Sequence, residues 1–446
     1  MEHFITSFSY VNTPFTLHGE NQLTVRFSLK DVGETLINFT SSVPDGDWGM
    51  KDKESAVVTV LLNGEYNQDY ILFYGNEPFT YERMIGSLPP GEHELSFVFQ
   101  SNKSSKLIIE AIVHMIEIRQ VKESDYEIVF YQHAPVIYGR HLMSPFENSY
   151  TDTPLVLFYY SDHTEDGAMI IEYHIIFSHE DGGTTATKLM SKWGRTSDIE
   201  WVYKVKVDPR GRRLLNEDET EFFQGAEHIT TPFKGARGLG NHPILQVATD
   251  NGNFSDQISS TYRYFLKPAT CLPRQLNRET VMDKYQWTYL ISAKEIRRQE
   301  RLELSHDPNT PLLSDPRHYL YIQSTKLTVE GKDAQGKVDF KVKLLNKETL
   351  FSATHQNFEM AYDADGPFST TVKLPKGTKI SDIEKIYVSY IKEICAESNY
   401  SIRVNGIFKS FFLGGGDMPS RPFIFSDKEV EVSLLYPQQI IWKRDD

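Results

Sequence analysis

The chain has 446 residues, enough for two or three domains that each bury a core. Its formal net charge of −14 disfavours nonspecific nucleic-acid binding, which needs a positive field, and leaves cations and neutral sugars as easier partners. Aromatic residues make up 13% of the chain and favour strands, while no apolar run approaches the roughly 18 residues of a transmembrane span.

The start, MEHFITSFSYVNTPF, lacks a basic segment leading into an apolar stretch and a cleavage site, so it does not read as a signal peptide. A native, complete chain is therefore expected to be cytoplasmic. A secreted or cell-surface location follows if a signal has been removed or another export route is used. Cys271 and Cys395 lie far apart without CxxC spacing, which disfavours a disulfide framework or a thiolate zinc site and leaves open whether the two pair.

Residues 1–122 read as an N-terminal β-sandwich, a candidate glycan-associated module. Short alternating strands are separated by Asn63-Gly64 and by Pro89-Pro90-Gly91, both turn signals. Trp48, Tyr66, Tyr70, Tyr74 and Tyr81 are either core residues or glycan-stacking surfaces, with the core reading favoured. Asp45, Asp47, Asp69 and Glu77 are a candidate calcium set, for which a plain surface role is the better expectation.

Residues 123–310 read as a central metal and function domain ending in a bridging helix. Tyr126 opens this unit, and His133, His141, His163, His174, His179, His228 and His242 concentrate half of the chain's 14 histidines there. The stretch Ala168 to Asp208 carries the densest chemistry. Met169 to Phe177 alternates as a strand that projects Glu172 and His174 from one face. A second strand places Ile199, Trp201, Tyr203, Val205 and Val207 in one row, and Asp198 and Glu200 in the other with Val202, Lys204 and Lys206. If the strands are neighbours, Glu172, His174, Asp198 and Glu200 converge on one face.

Clustered carboxylates need a compensating cation, and a hard divalent ion, Ca2+ or Mg2+, would suit them. The metal set is then His174, Asp198, Glu200 and Asp181, and the catalytic set Glu172, His174, Asp198 and Glu200. His179, Arg195, His242 and Asn253 are candidate ligand contacts. The alternative is a solvated sheet face with ordinary charge pairs to Lys204 and Lys206. Between the strands, Lys188 to Trp193 reads as one short helix stopped by Gly194.

The run IIEYHIIFSHEDGG, followed by WGRTSDIEWVYKVKVD and HPILQVATDNGNFSD, resembles the plant and fungal vacuolar protein sorting 62-like family and the necrosis- and ethylene-inducing proteins over residues 130 to 265. Those families carry a central β-sandwich in which a Gly-Arg or Gly-His start leads to Asp-Trp-Glu. Here Gly194 and Arg195 precede Asp198, Ile199 and Glu200, so both acids are kept and the intervening Trp is replaced. The resemblance implies a metal role for Asp198 and Glu200. Arg195, Thr196 and Ser197 stand where the necrosis-inducing pattern has His-Arg-His, and Gly252-Asn253 where it has Gly-His.

Tyr285 to Leu290 reads as a strand and Lys294 to Leu304 as a charged bridging helix. Residues 311–446 form a C-terminal β-rich module, expected as a third sandwich. The class is thus mainly β, in three modules. The functional expectation is a glycan-directed protein with a divalent-metal-dependent binding or hydrolytic site in the middle, its partner a carbohydrate or cell-surface glycan. The alternatives are a noncatalytic adhesion, coat or toxin-like interaction protein, or a cytoplasmic β-rich assembly protein that self-associates.

Overall fold

Alternating apolar and polar residues bury one side of a strand and wet the other, and strands so patterned pair into stacked sheets. The computed structural model describes residues 7–10, 14–122, 125–140, 153–180, 182–214, 220–329, 336–391 and 400–444. The chain is mainly β, with its strands arranged in several sandwich-like modules. No helix among the described residues is long and apolar enough to cross a membrane. The chain divides into two compact units, residues 1–182 with 198–272, and residues 183–197 with 273–446.

The first unit begins with two facing antiparallel sheets. One has the order Ser7–Tyr10, Glu110–Lys122, Gly33–Ser42, Phe79–Leu88, with Phe15–His18 also on Glu110–Lys122. The other runs Gln22–Leu29, Gly91–Phe99, Ala56–Leu62, Glu65–Leu72. Asn63 and Gly64 take φ of 51° and 83°, the backbone of a tight primed hairpin turn between two of these strands. Phe39 stacks on Phe97 at 5.0 Å and meets Tyr70 edge-on at 5.3 Å. Trp48, Tyr70 and Tyr81 are buried in this core, as the core reading expected. Asp69 is wholly buried, accepting from Thr59 Oγ1 at 2.5 Å, Tyr66 OH at 2.8 Å and Lys103 Nζ at 2.9 Å. Its charge therefore serves the fold.

The rest of the first unit is a six-stranded sheet and a smaller five-stranded one. The six-stranded order is Thr230–Pro232, Glu221–Gln224, Ile199–Val207, Met169–Phe177, Pro154–His163, Pro268–Cys271. The smaller sheet holds Val136–Tyr138 beside His242–Val247 and Arg263–Tyr264. These elements join the N-terminal sandwich through backbone as well as side chains. Met84 N–H donates to the Phe265 carbonyl at 2.9 Å, Phe265 N–H to Gln68 Oε1 at 3.1 Å, and the Arg263 guanidinium to the carbonyls of Tyr66 and Asn67. Residues 1–122 and the strands that follow thus fall in one compact unit.

The second unit is a sandwich of two four-stranded sheets. One is Gly366–Lys373, Tyr319–Thr328, Ser401–Leu413, Pro419–Ser433, and the other Leu350–Ser352, Lys337–Leu344, Ile383–Ile391, Gln438–Lys443. Ile322, Phe340, Val372, Ile386, Val404 and Val432 fill the space between them. The segment expected as strand at Tyr285 to Leu290 instead enters the helix Trp287–Arg298, which ends before the expected Leu304. Thr288, Ile291, Ser292 and Glu295 are buried at helical spacing, but three of these four are polar, while the apolar Tyr289, Ile291 and Ala293 alternate as a strand would. The helix Ala186–Trp193 forms as expected and stops at Gly194, whose φ is 63°. Thr370 and Thr371 hydroxyls donate to the Ser191 and Met190 carbonyls and satisfy its last turn.

Candidate functional site

The strands Met169–Phe177 and Ile199–Val207 are antiparallel neighbours, with Met169 opposite Val207, Tyr173 opposite Tyr203 and Glu172 opposite Lys204. Glu172 is buried and doubly engaged. Its Oε1 accepts from His174 Nε2 at 2.8 Å and its Oε2 lies 2.6 Å from Lys204 Nζ. The His174 ring stacks on Phe158 at 5.2 Å and meets Tyr160 edge-on at 4.9 Å, while Lys204 Nζ stands 5.4 Å over the half-buried Trp201 ring. One face of the sheet thus gathers a His–Glu–Lys relay in an aromatic setting.

Asp198 and Glu200 do not join it. The register shifts after Tyr173 and Tyr203, so His174 faces Trp201 and Ile175 faces Glu200. Val202 is the extra residue of a β-bulge, and partners across a strand share a face. Glu200 consequently lies on the side of Ile175 and Tyr173, opposite that of Glu172 and His174. There Glu200 Oε2 accepts from Gln224 Nε2 at 2.5 Å and lies 3.6 Å from His228 Nδ1. His228 Nε2 accepts from Asn251 Nδ2 at 2.9 Å, and His228 N–H donates to Asn253 Oδ1 at 3.1 Å. The turn 249–253 presses on both acids. Gly252 has φ of 65°, and a Cβ there would collide with the Asp198 carboxylate and come within 2.9 Å of Glu200 Cγ. Only glycine meets both demands.

The remaining candidates disperse. His179 shares a hydrogen bond of 3.0 Å with Ser178 Oγ. His242 is fully buried, with Nδ1 donating to the Ala134 carbonyl at 2.9 Å and Nε2 3.1 Å from Glu34 Oε2, so it ties the small sheet to the N-terminal sandwich. Asn253 is buried and donates to Thr249 Oγ1 at 3.1 Å. Arg195 belongs to the second unit, where its Nε donates to Glu279 Oε1 at 2.9 Å. Asp181, His141 and Cys395 lie outside the described residues. Among the described residues no group of three His, Cys, Asp or Glu side chains is placed to hold a metal ion, so the set His174, Asp198 and Glu200 is not assembled as one centre. The reason is the bulge at Val202.

An open cleft lies elsewhere on this sheet. His163 pairs with Met169 and Met169 with Val207, which brings the turns after His163 and after Val207 to one sheet end. Together with the helix Ile128–Gln132 they enclose about 240 Å³, lined among others by Tyr126, His163, Met169, Asp208 and Arg210. Tyr126 is 73% exposed at its rim, its ring set edge-on against Phe130, which stacks on Tyr159 at 4.5 Å. The Asp208 carboxylate accepts from the N–H groups of Arg210 and Arg212 at 2.8 and 2.9 Å and from the Arg212 guanidinium, and the Arg212 N–H leads the contacts that hold it below its ordinary carboxylate pKa. Behind the turn, His133 Nε2–H donates to the Gly211 carbonyl at 2.8 Å. Burial lowers the pKa of His133 from 6.5 to about 4, so the ring is neutral at pH 7. Residue types alone did not mark this cleft, but pairing the two strands in register would have brought its turns together.

No protein-family model matches the chain, and no curated protein matches it. Solved structures similar to it at low identity include the CBM36-1 domain of a multidomain xylanase from the hindgut metagenome of Trinervitermes trinervoides. That match has 15% identity and a TM-score of 0.20, and covers 27% of this chain and 90% of that one. A carbohydrate-binding module CBM36 in complex with calcium and xylotriose matches at 15% identity and TM-score 0.19, covering 25% and 87%. The carbohydrate-binding module CBM6cm-2 from Cellvibrio mixtus lichenase 5A matches at 11% identity and TM-score 0.19, covering 27% and 91%.

Proposed function

We propose that this chain is a glycan-directed interaction protein without turnover of its own, and that the cleft beside Tyr126 is where a sugar is held. The carrying observation is the exposed Tyr126 ring at the rim of a concave site that also offers His163, Asp125 and Arg210. A pyranose has an apolar C–H face that suits an aromatic ring and a hydroxyl edge that suits polar side chains. The separation of Glu172 from Asp198 and Glu200, which stay together beside Gly252, supports the noncatalytic part. Glycoside hydrolysis needs two carboxyl groups flanking one bond, whereas Glu172 and Glu200 lie on opposite faces of the sheet and each is held by neighbours of its own.

The full chain and its Tyr126→Ala variant on a glycan array test the reading, together with reducing-end release assays run with and without chelator. Retention of a glycan by the wild type, its loss in the variant and no released sugar are the expected results. Release that chelator stops and that Asp198→Asn removes would instead favour the metal role implied by the family resemblance. Equal retention by wild type and Tyr126→Ala would move the binding surface away from the cleft.

A further inference from the structure

We infer that the cleft selects an acidic sugar, a uronic acid whose carboxylate is read by Arg210; this rests on the cleft being the glycan site. The polar groups around it are unequally committed. Both oxygens of Asp208 are occupied by Arg212 and by the backbone of its own turn, and Asp125 Oδ2 accepts from Lys122 N–H at 3.0 Å. By contrast, the Arg210 guanidinium and the His163 ring have no hydrogen-bond or ion-pair partner among the described residues, and both are exposed. An arginine left unpaired beside a cavity, in a chain of net charge −14, keeps its donors for something that enters from solvent. Its planar fork of N–H donors fits a carboxylate through two parallel hydrogen bonds, which no neutral hydroxyl reproduces. Tyr126 then carries the C–H face of the ring, and the remaining acceptor capacity of Asp125 takes a hydroxyl. The recognition divides into a face that every pyranose has and one charge that few have.

Titration calorimetry of the full chain with methyl glucuronoside and methyl glucoside tests this. The glucuronoside is expected to bind about tenfold more tightly, with a preference that shrinks as salt rises. Arg210→Gln should bring the two affinities together at an unchanged melting temperature. Equal affinities in the wild type, or a preference that survives Arg210→Gln, would overturn the acidic-sugar assignment while leaving Tyr126-dependent glycan binding intact. Absence of binding by either sugar, joined to an array on which Tyr126→Ala behaves as wild type, would remove the glycan reading and this assignment with it.

Discussion

Within the six-stranded sheet, Glu172 meets His174 at 2.8 Å and Lys204 at 2.6 Å, whereas at the end of the same sheet the Arg210 guanidinium and the His163 ring line a cleft and have no side-chain partner among the described residues. The first group is richer in residues that do chemistry in enzymes, yet each charge answers another inside the protein. The second is sparse, and its groups remain unspent. Buried polar side chains are satisfied by neighbours because leaving them unsatisfied is costly, so density of acids and histidines marks a site poorly unless their partners are known. Buried and open regions should then respond differently to substitution, the first in stability and the second in ligand binding.

Phe158→Ala probes the buried side most severely. Phe158 is fully buried under the His174 ring, and its removal should cost about 3–5 kcal/mol in urea unfolding. A loss below about 1 kcal/mol would mean that the relay is not packed as described.

Acid should act next. The folded-state pKa of His133, about 4, lies below its unfolded value near 6.5, so the unfolded chain takes up the proton first. The stability this group contributes is full above pH 6.5 and is lost as pH falls toward 4, a change on the order of 3 kcal/mol. Unfolding midpoints at pH 7 and 4.5 should therefore separate less in His133→Gln than in the wild type. Parallel pH profiles would break this assignment.

Gly252→Ala should cost about 1–3 kcal/mol, since the new Cβ meets the Asp198 carboxylate and the backbone is left-handed. A variant as stable as wild type would mean that the 249–253 turn does not rest on the acids. Tyr126→Ala completes the series with a change within about 0.5 kcal/mol in stability and loss of glycan retention. A large drop in melting temperature would place Tyr126 with the buried group instead.

Much of the architecture was legible from period-two alternation. Met169–Phe177 and Ile199–Val207 run over the residues their patterns mark, and Gly194 stops the helix Ala186–Trp193 where its position predicts. The proposed convergence of Glu172, His174, Asp198 and Glu200 was not legible, because it depended on unbroken register. A single extra residue in one strand exchanges its faces from that point on. Val202, an apolar residue in an otherwise polar row, was the local irregularity, but its neighbours on both sides of the sheet are apolar enough to hide it. The cleft escaped for another reason. Tyr126, His163 and Arg210 come from three segments that only tertiary pairing unites, and each alone reads as an ordinary turn or boundary residue.

The passage of residues 183–197 into the second unit has a consequence for biogenesis. When this segment leaves the ribosome its companions, residues 273–446, have yet to be made, and at translation speeds of about 5–20 residues per second it waits roughly ten seconds or longer for them. The helix Ala186–Trp193 is too short to persist alone during that interval. A nascent chain halted near residue 272 would carry a guest without its host, so no single cut divides this protein into two self-sufficient halves.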